Sequence, residues 1–404
     1  MEEDFERGGY SNYPKEEKSN YDDFYEDPSP KPPSIHELVS KKSESSINFD
    51  NKSSELAEID RELEELLQKQ HSKVKVFGVG GAGGNTISRM KEIGIKGGEF
   101  IAVNTDAQDL LYSNADSKIL IGRELTMGLG AGSNPKIGEE AARESEQEIK
   151  KKVAGCDMVF VTCGMGGGTG SGAAPVISAL ARKQGALTIG VITMPFTIEG
   201  RKRIENAEYG LERMESAVDT LIVIPNDKLL EIAPELPLQT AFKVADEILT
   251  NAVKGTTELV TKSGLVNLDF ADVKAVMTNG GVSLMGMGES DSANRAQEAV
   301  EKALSNPLLD VDISEAGGAL VNIIGGNDMS LDEARAIIAA VGDRLSSEAK
   351  MIWGAQISPE MEKSIRVMII ITGVKSSQIM GGELPLEIKR QVEMGDELGI
   401  EFLE

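Results

Sequence analysis

The run Gly164-Met165-Gly166-Gly167-Gly168-Thr169-Gly170-Ser171-Gly172 stands between an apolar segment, Met158–Thr162, and a helical pattern at 173–184. Glycines at a strand-to-helix junction let the backbone approach a ligand that side chains would exclude. The helix that follows offers unpaired N–H groups to an anion. The same arrangement recurs at Gly78-Val79-Gly80-Gly81-Ala82-Gly83-Gly84-Asn85, after the strand-like Val74–Val79 and before a helical pattern over Asn85–Ile93. A third run, Gly128-Leu129-Gly130-Ala131-Gly132-Ser133-Asn134-Pro135, precedes a polar helix at about 136–153. One such run is as readily a tight turn as a phosphate site. Three convergent runs argue for a bound ligand.

The surrounding text alternates strand and helix. Glu99–Val103, Lys118–Ile121, Leu187–Thr193 and Thr220–Pro225 read as further strands, and the βαβ rhythm implies a mostly parallel sheet with helices on both faces. A long helix is expected over 239–262. Beyond it, Lys274–Thr278, Leu320–Ile324, Met351–Ala355 and Val367–Thr372 read as strands, with helices at about 292–304 and 331–346. The expected organisation is a Rossmann-like α/β nucleotide domain over 73–238, the long central helix, and a smaller α/β domain over 263–374. Flanking these are an acidic, disordered extension over 1–72 and a polar tail over 375–404. Within the extension, Leu56, Ile59, Leu63, Leu66 and Leu67 recur at helical spacing and predict a short helix near 54–69.

The side-chain inventory narrows the chemistry. Both histidines, His36 and His71, precede the part that reads as folded, so Ser-His-Asp and Cys-His hydrolases and His-ligated metals are excluded from the core. The only cysteines are Cys156 and Cys163, too few for a four-thiolate zinc site. Acidic residues outnumber basic ones 66 to 42, for a formal charge of −24, which argues against nucleic acid or an anionic membrane as partner. No apolar run is long enough to span a bilayer, and the chain reads as cytoplasmic. What remains is chemistry by carboxylates, backbone amides and a hard cation.

Read alone, Gly78-x-Gly80-x-x-Gly83 also fits a dinucleotide fingerprint, with Asp106 as the ribose-binding acid of an NAD(P)-dependent oxidoreductase. That reading leaves the second glycine run without a purpose. Two runs at neighbouring strand ends instead suit one triphosphate. No G-x-x-x-x-G-K-[ST] is present, so charge compensation falls to backbone N–H groups, helix dipoles and bound Mg²⁺ held mainly by the phosphates, with no side-chain metal ligands expected.

Gly166-Gly167-Gly168-Thr169-Gly170-Ser171-Gly172 resembles the signature loop of the tubulin/FtsZ family, and the surrounding text resembles its cell-division branch. The likeness runs from about Val74 to Gly373 and includes Gly80–Asn85, Asn104-Thr105-Asp106, Gly128–Pro135, Pro195–Arg203, Pro225-Asn226-Asp227 and Asn267–Asp272 in family order. The acidic extension exceeds what most members carry. No long linker precedes the C-terminus, and with Thr162-Cys163-Gly164 this is more like the archaeal branch.

The resemblance implies a GTPase binding GTP or GDP with Mg²⁺. Gly80, Gly81, Ala82, Gly83, Gly84 and Asn85, with Gly166, Gly167, Gly168, Thr169, Gly170 and Ser171, would hold the phosphates, and Ala131 and Gly132 would lie near the γ-phosphate. Glu199 and Arg203 would contact ribose, with Asn226 nearby, although their spacing alone is that of an ordinary surface ion pair. Phe242 and Asp246 share a face of the long helix. By the same likeness they would stack on guanine and accept from its N1–H and N2–H₂, where spacing alone allows a core Phe and a solvated Asp.

Asn267, Asp269 and Asp272 match the loop that carries the family's catalytic acids; the spacing by itself allows a plain Asx-rich turn. A helix of about 20 residues is about 30 Å long, so these carboxylates cannot reach a nucleotide bound at its other end in the same chain. They reach one when a second subunit stacks head-to-tail, which builds an open filament. The resemblance thus implies a homopolymer at a mid-cell division ring. A membrane adaptor and division regulators would dock on Ile400–Leu403 or the helix near 54–69, with no direct membrane insertion. A weakly hydrolysing structural or regulatory relative is the remaining alternative.

Overall fold

We describe the protein from a computed structural model, which describes residues 72–374 apart from 96, 233–236, 262–264, 267, 310–312 and 314–315. The chain divides into two compact units, Met1–Lys69 and Gln70–Glu404, and all described residues belong to the second. The expected extension, its helix near 54–69, the tail over 375–404 and Asn267 lie outside the described residues.

In chain order the first half contains β1 (Val74–Val79), α1 (Gly80–Glu92), β2 (Gly98–Asn104), α2 (Ala107–Tyr112), β3 (Ser117–Leu120), α3 (Arg123–Thr126), α4 (Pro135–Glu144) and α5 (Glu146–Val153). It continues with β4 (Met158–Gly164), α6 (Gly168–Lys183), β5 (Leu187–Met194), α7 (Arg201–Ala217), β6 (Thr220–Pro225) and α8 (Asn226–Ile232). The long helix α9 (Leu238–Thr261) follows, then α10 (Phe270–Met277), β7 (Gly281–Ser290), α11 (Arg295–Leu304), β8 (Gly318–Gly325), α12 (Leu331–Gly342), β9 (Lys350–Ile357) and β10 (Ile365–Thr372).

The strands join in one ten-stranded sheet of order β3-β2-β1-β4-β5-β6-β7-β10-β8-β9. Neighbours are parallel except at β10, which runs antiparallel to β7 and β8. Apolar side chains alternate between two cores. Phe77, Val79, Val159 and Val161 point to one face, and Val76, Met158 and Phe160 to the other. Both faces are covered, which is why these strands read as near-continuous apolar runs. Each fully buried Phe or Ile contributes on the order of 2–3 kcal/mol.

The first six strands have the doubly-wound order, and the order reverses between β1 and β4. Those strands are direct neighbours, with Val79 opposite Cys163. Connections leaving two adjacent strands to opposite sides open a crevice at their carboxyl ends. The first and second glycine runs both start there.

Several elements differ from the sequence reading. Lys274–Thr278 is not a strand: it is the second half of α10 and its cap, because Val273, Val276 and Met277 are buried at helical spacing. The strand is Gly281–Ser290, whose glycines disguised it. A Cβ on Gly286 would meet the Ala303 carbonyl oxygen at 2.2 Å, and one on Gly288 the Ala299 carbonyl oxygen at 2.2 Å, so α11 rests directly on this backbone. The helix expected at 136–153 breaks at Ser145, whose hydroxyl accepts from the Gly122 N–H at 3.1 Å. α1 and α6 begin inside the glycine runs, at Gly80 and Gly168, ahead of Asn85 and residue 173.

Candidate functional site

Two adjoining pockets open at the carboxyl ends of β1 and β4. The first is lined by Ala82, Asn85, Glu199, Arg203, Asn226, Phe242 and Asp246, with Thr193 and Pro195. The second is lined by Gly80, Gly81, Ala82, Gly167, Gly168, Thr169, Gly170 and Arg203, with Asp106, Asp109 and Gly130. Ala82, Gly164 and Arg203 belong to both, so one elongated ligand can occupy the pair.

The second pocket is a backbone cradle. α1 and α6 start in it, and neither N-terminus is capped by a side chain. Their first-turn N–H groups and dipoles therefore open on the pocket, where they can receive an anion. Close packing holds the cradle's shape: a Cβ on Gly170 would lie 2.5 Å from the Gly164 carbonyl oxygen. The Thr105 and Thr169 hydroxyls are 2.7 Å apart and join the end of β2 to the second run. The Ser171 hydroxyl accepts from the Gly166 N–H at 2.9 Å. Ser171 and Gly166 thus brace the loop from behind rather than line it. Gly83 and Gly84 are buried in α1, also off the wall. Ala131 is buried against the start of α6, Gly132 is exposed, and their neighbour Gly130 reaches the pocket.

The first pocket has the character of a nucleoside site. Phe242 stands edge-on to the buried Phe196, centroids 5.3 Å apart at 81°, while 40% of it stays exposed. Asp246, one turn on, is largely buried, and that burial pushes its pKa up to about 6, opposed by the Thr86 hydroxyl and the Arg89 charge. Glu199 accepts the Phe196 N–H at 2.8 Å and pairs with Arg203 at 3.0 Å. Asn226 is 5% exposed, and its side-chain oxygen accepts no hydrogen bond from any described residue. A buried acceptor without a donor costs about 1–3 kcal/mol, which a base or ribose hydrogen would recover.

Several functional residues escaped the sequence reading. Asp227 accepts the Thr197 N–H at 3.0 Å and so anchors the loop bearing Glu199. Asp109 lies on the wall of the second pocket, where its carboxylate accepts from Asn104 at 3.1 Å. Asp106, read as a ribose acid in the oxidoreductase alternative, instead lines the second pocket and caps α2.

Asp269 and Asp272 are not brought to these pockets. They sit past the far end of α9, a helix of 24 residues and so about 36 Å long. Asp269 caps α10, accepting from the Ala271 N–H at 3.4 Å, and both carboxylates are exposed.

A doubly-wound sheet with a glycine cradle for phosphates and an aromatic–carboxylate nucleoside pocket defines a nucleoside-triphosphate-binding protein. Residues 73–234 match the model of the Tubulin/FtsZ family GTPase domain, and residues 281–375 that of the FtsZ family C-terminal domain. The chain is 62% identical over 321 residues to cell division protein FtsZ 1 of Pyrococcus horikoshii, covering 80% of this chain and 86% of that one. It is 59% identical over 325 residues to cell division protein FtsZ of Methanothermobacter thermautotrophicus, covering 80% and 85%. Among solved structures, the empty FtsZ dimer of M. jannaschii superposes with a TM-score of 0.77 at 55% identity, covering 82% of this chain and 98% of that one. The chain belongs to the tubulin/FtsZ family, in its FtsZ branch. It is a GTP-binding, GTP-hydrolysing, self-assembling protein of cell division, and the oxidoreductase alternative falls. Among the described residues no helix is long and apolar enough to cross a membrane.

Proposed function

We propose that this chain binds GTP across its two pockets and hydrolyses it when a second copy, stacked head-to-tail, supplies Asp269 and Asp272. The observation that carries this reading is the separation along α9. The nucleotide pockets lie at one end, and two exposed carboxylates lie past the other. Guanine stacks on Phe242, and the Asp246 carboxylate accepts from N1–H and N2–H₂. The carboxylate of Glu199 and the guanidinium of Arg203 face the ribose, and the amide of Asn226 reaches the nucleoside. The phosphates lie on the N–H groups of Gly80–Ala82 and Gly168–Gly170, which stabilise developing negative charge without reorganising.

In the assembled site, the neighbour's Asp269 and Asp272 orient a water for in-line attack on the γ-phosphate. Asn267, which lies outside the described residues, would act with them by shaping the loop or placing that water. Mg²⁺ suits the pocket, since Asp106 and Asp109 give its wall the hard oxygen donors that ion prefers; when bound it neutralises phosphate charge. The filament works in the cytoplasm at a mid-cell ring. Its membrane adaptor and regulators dock on the tail over 375–404 or the segment near 54–69, and deleting 375–404 should spare hydrolysis yet delocalise the protein.

The test is GTP hydrolysis per subunit against protein concentration, with sedimentation in parallel. Specific activity rising from near zero as polymer pellets supports a site shared between subunits. Activity independent of concentration and without polymer overturns it.

A further inference from the structure

Asn206 is buried on α7, 5% exposed. Its side-chain nitrogen donates to the Ser133 carbonyl at 2.8 Å and to the Gly166 carbonyl at 3.2 Å. Neither acceptor belongs to α7. Ser133 lies in the third glycine run, and Gly166 in the bend between β4 and α6. One amide group therefore spends both its protons joining two separate phosphate loops.

The surroundings make this tie specific. Ser133 is in the left-handed region, φ 57°, a conformation a non-glycine residue keeps only when its neighbours hold it. Gly166 also has positive φ, 98°, and a Cβ there would come within 2.9 Å of the Arg203 carbonyl oxygen on α7. Close backbone contact thus fixes how far α7 stands from the second run. The Asn206 amide fixes where the third run sits relative to it.

The layout of the pockets gives the tie a meaning. The nucleoside and phosphate pockets share the wall at Ala82, Gly164 and Arg203. Gly130, from the third run, lines only the phosphate pocket. A nucleotide with its base at Phe242 and Asp246 enters across the shared wall, so the third run meets its phosphates and not its base. A triphosphate puts one more phosphate into that pocket than a diphosphate.

We propose that Asn206 is a positioning residue that holds the third glycine run against the second and thereby raises affinity for GTP relative to GDP. This rests on the site reading above. Asn206 touches no nucleotide itself and acts through the Ser133 and Gly166 carbonyls.

The test is the ratio of GTP to GDP affinity in the full-length protein, measured with non-hydrolysable GTP and with GDP. Asn206→Asp keeps the shape but aims a carboxylate at two carbonyl oxygens. At neutral pH it should lower the ratio by about tenfold, equivalent to about 1.4 kcal/mol, with GDP affinity changed far less. Protonation at lower pH returns one donor, so the ratio relative to wild type at the same pH should partly recover. Asn206→Ala removes both donors and should lower the ratio with no such recovery. A variant that is merely less stable loses both nucleotides together and leaves the ratio unmoved; that outcome, or an unchanged ratio in both variants, overturns the proposal. Failure of the wild type to bind either nucleotide would instead strike the site reading itself.

Discussion

On the proposed reading of the site, Asp246 links nucleotide recognition to proton uptake. Burial raises its pKa to about 6 in the nucleotide-free protein. Guanine offers two donors to the ionised form, so binding draws the pKa down again and releases a proton below pH 6. At pH 5 only about one molecule in eleven carries the carboxylate, and affinity should be about tenfold below its neutral plateau. The sign for stability is opposite to that of a salt-bridged acid. The folded pKa lies above the usual value near 3.8, so the unliganded fold is favoured at low pH and loses stability as pH rises from about 4 through 6. The shift sets a ceiling of about 3 kcal/mol, and the water that still reaches the carboxyl trims this to about 1–2 kcal/mol. Asp246→Asn removes that cost, so the unliganded variant should melt higher at pH 7.5. It should also bind GTP about a hundredfold more weakly, because an amide presents N–H groups to the guanine donors. Xanthine carries a carbonyl in place of the 2-amino group, so the variant should gain affinity for the xanthine nucleotide. Titration calorimetry from pH 5 to 7.5 on both proteins isolates the effect, since phosphate ionisation is common to them. Matching pH profiles for wild type and Asp246→Asn would refute the reasoning.

Asp269→Ala and Asp272→Ala should bind GTP as the wild type does and lose most turnover, measured as phosphate release from pelletable polymer. Nucleotide binding weakened to the same degree would count against carboxylates acting on a neighbour. Gly167→Ala meets no atom within 4 Å, so it should melt within about 0.5 kcal/mol of wild type yet lose triphosphate affinity. Gly83→Ala, whose Cβ would fall 2.7 Å from the Thr162 carbonyl oxygen, should lose about 1–3 kcal/mol of stability by thermal melting. With a formal charge of −24, subunits repel over a Debye length that shrinks from about 30 Å at 0.01 M salt to about 8 Å at 0.15 M. The assembly threshold seen by light scattering should therefore fall across that range, and a rise would show that attractive ion pairs dominate the contact.

How far the sequence revealed the fold depended on whether side chains or missing side chains carried the signal. The strands of the first half were legible because burial on both faces leaves runs such as Met158–Val161 wholly apolar. β7 was not, because α11 packs against bare backbone at Gly286 and Gly288, and those glycines imitate a loop. In α10, Val273, Val276 and Met277 suit a strand by composition, and only their burial on one face reveals the helix. Helix starts were misplaced for a related reason. Gly80 and Gly168 open helices whose first turns face the second pocket, without the usual capping side chain.

The site divides along the same line. The pocket proposed for the phosphates is walled largely by glycine runs, so glycine density in the text points to it before any contact is known. Its nucleoside half is made of side chains whose spacing is ordinary: Glu199 and Arg203 form an i,i+4 pair, and Phe242 and Asp246 share a helix face. Those residues become a site only when β5, β6 and α9 converge, and a resemblance to a family was needed to single them out. Asn206 is a step further from legibility. Nothing near it in sequence marks it, and its partners Ser133 and Gly166 lie on separate loops. A residue that acts by holding two distant segments together has no local pattern, so it is visible only once the segments are seen in place.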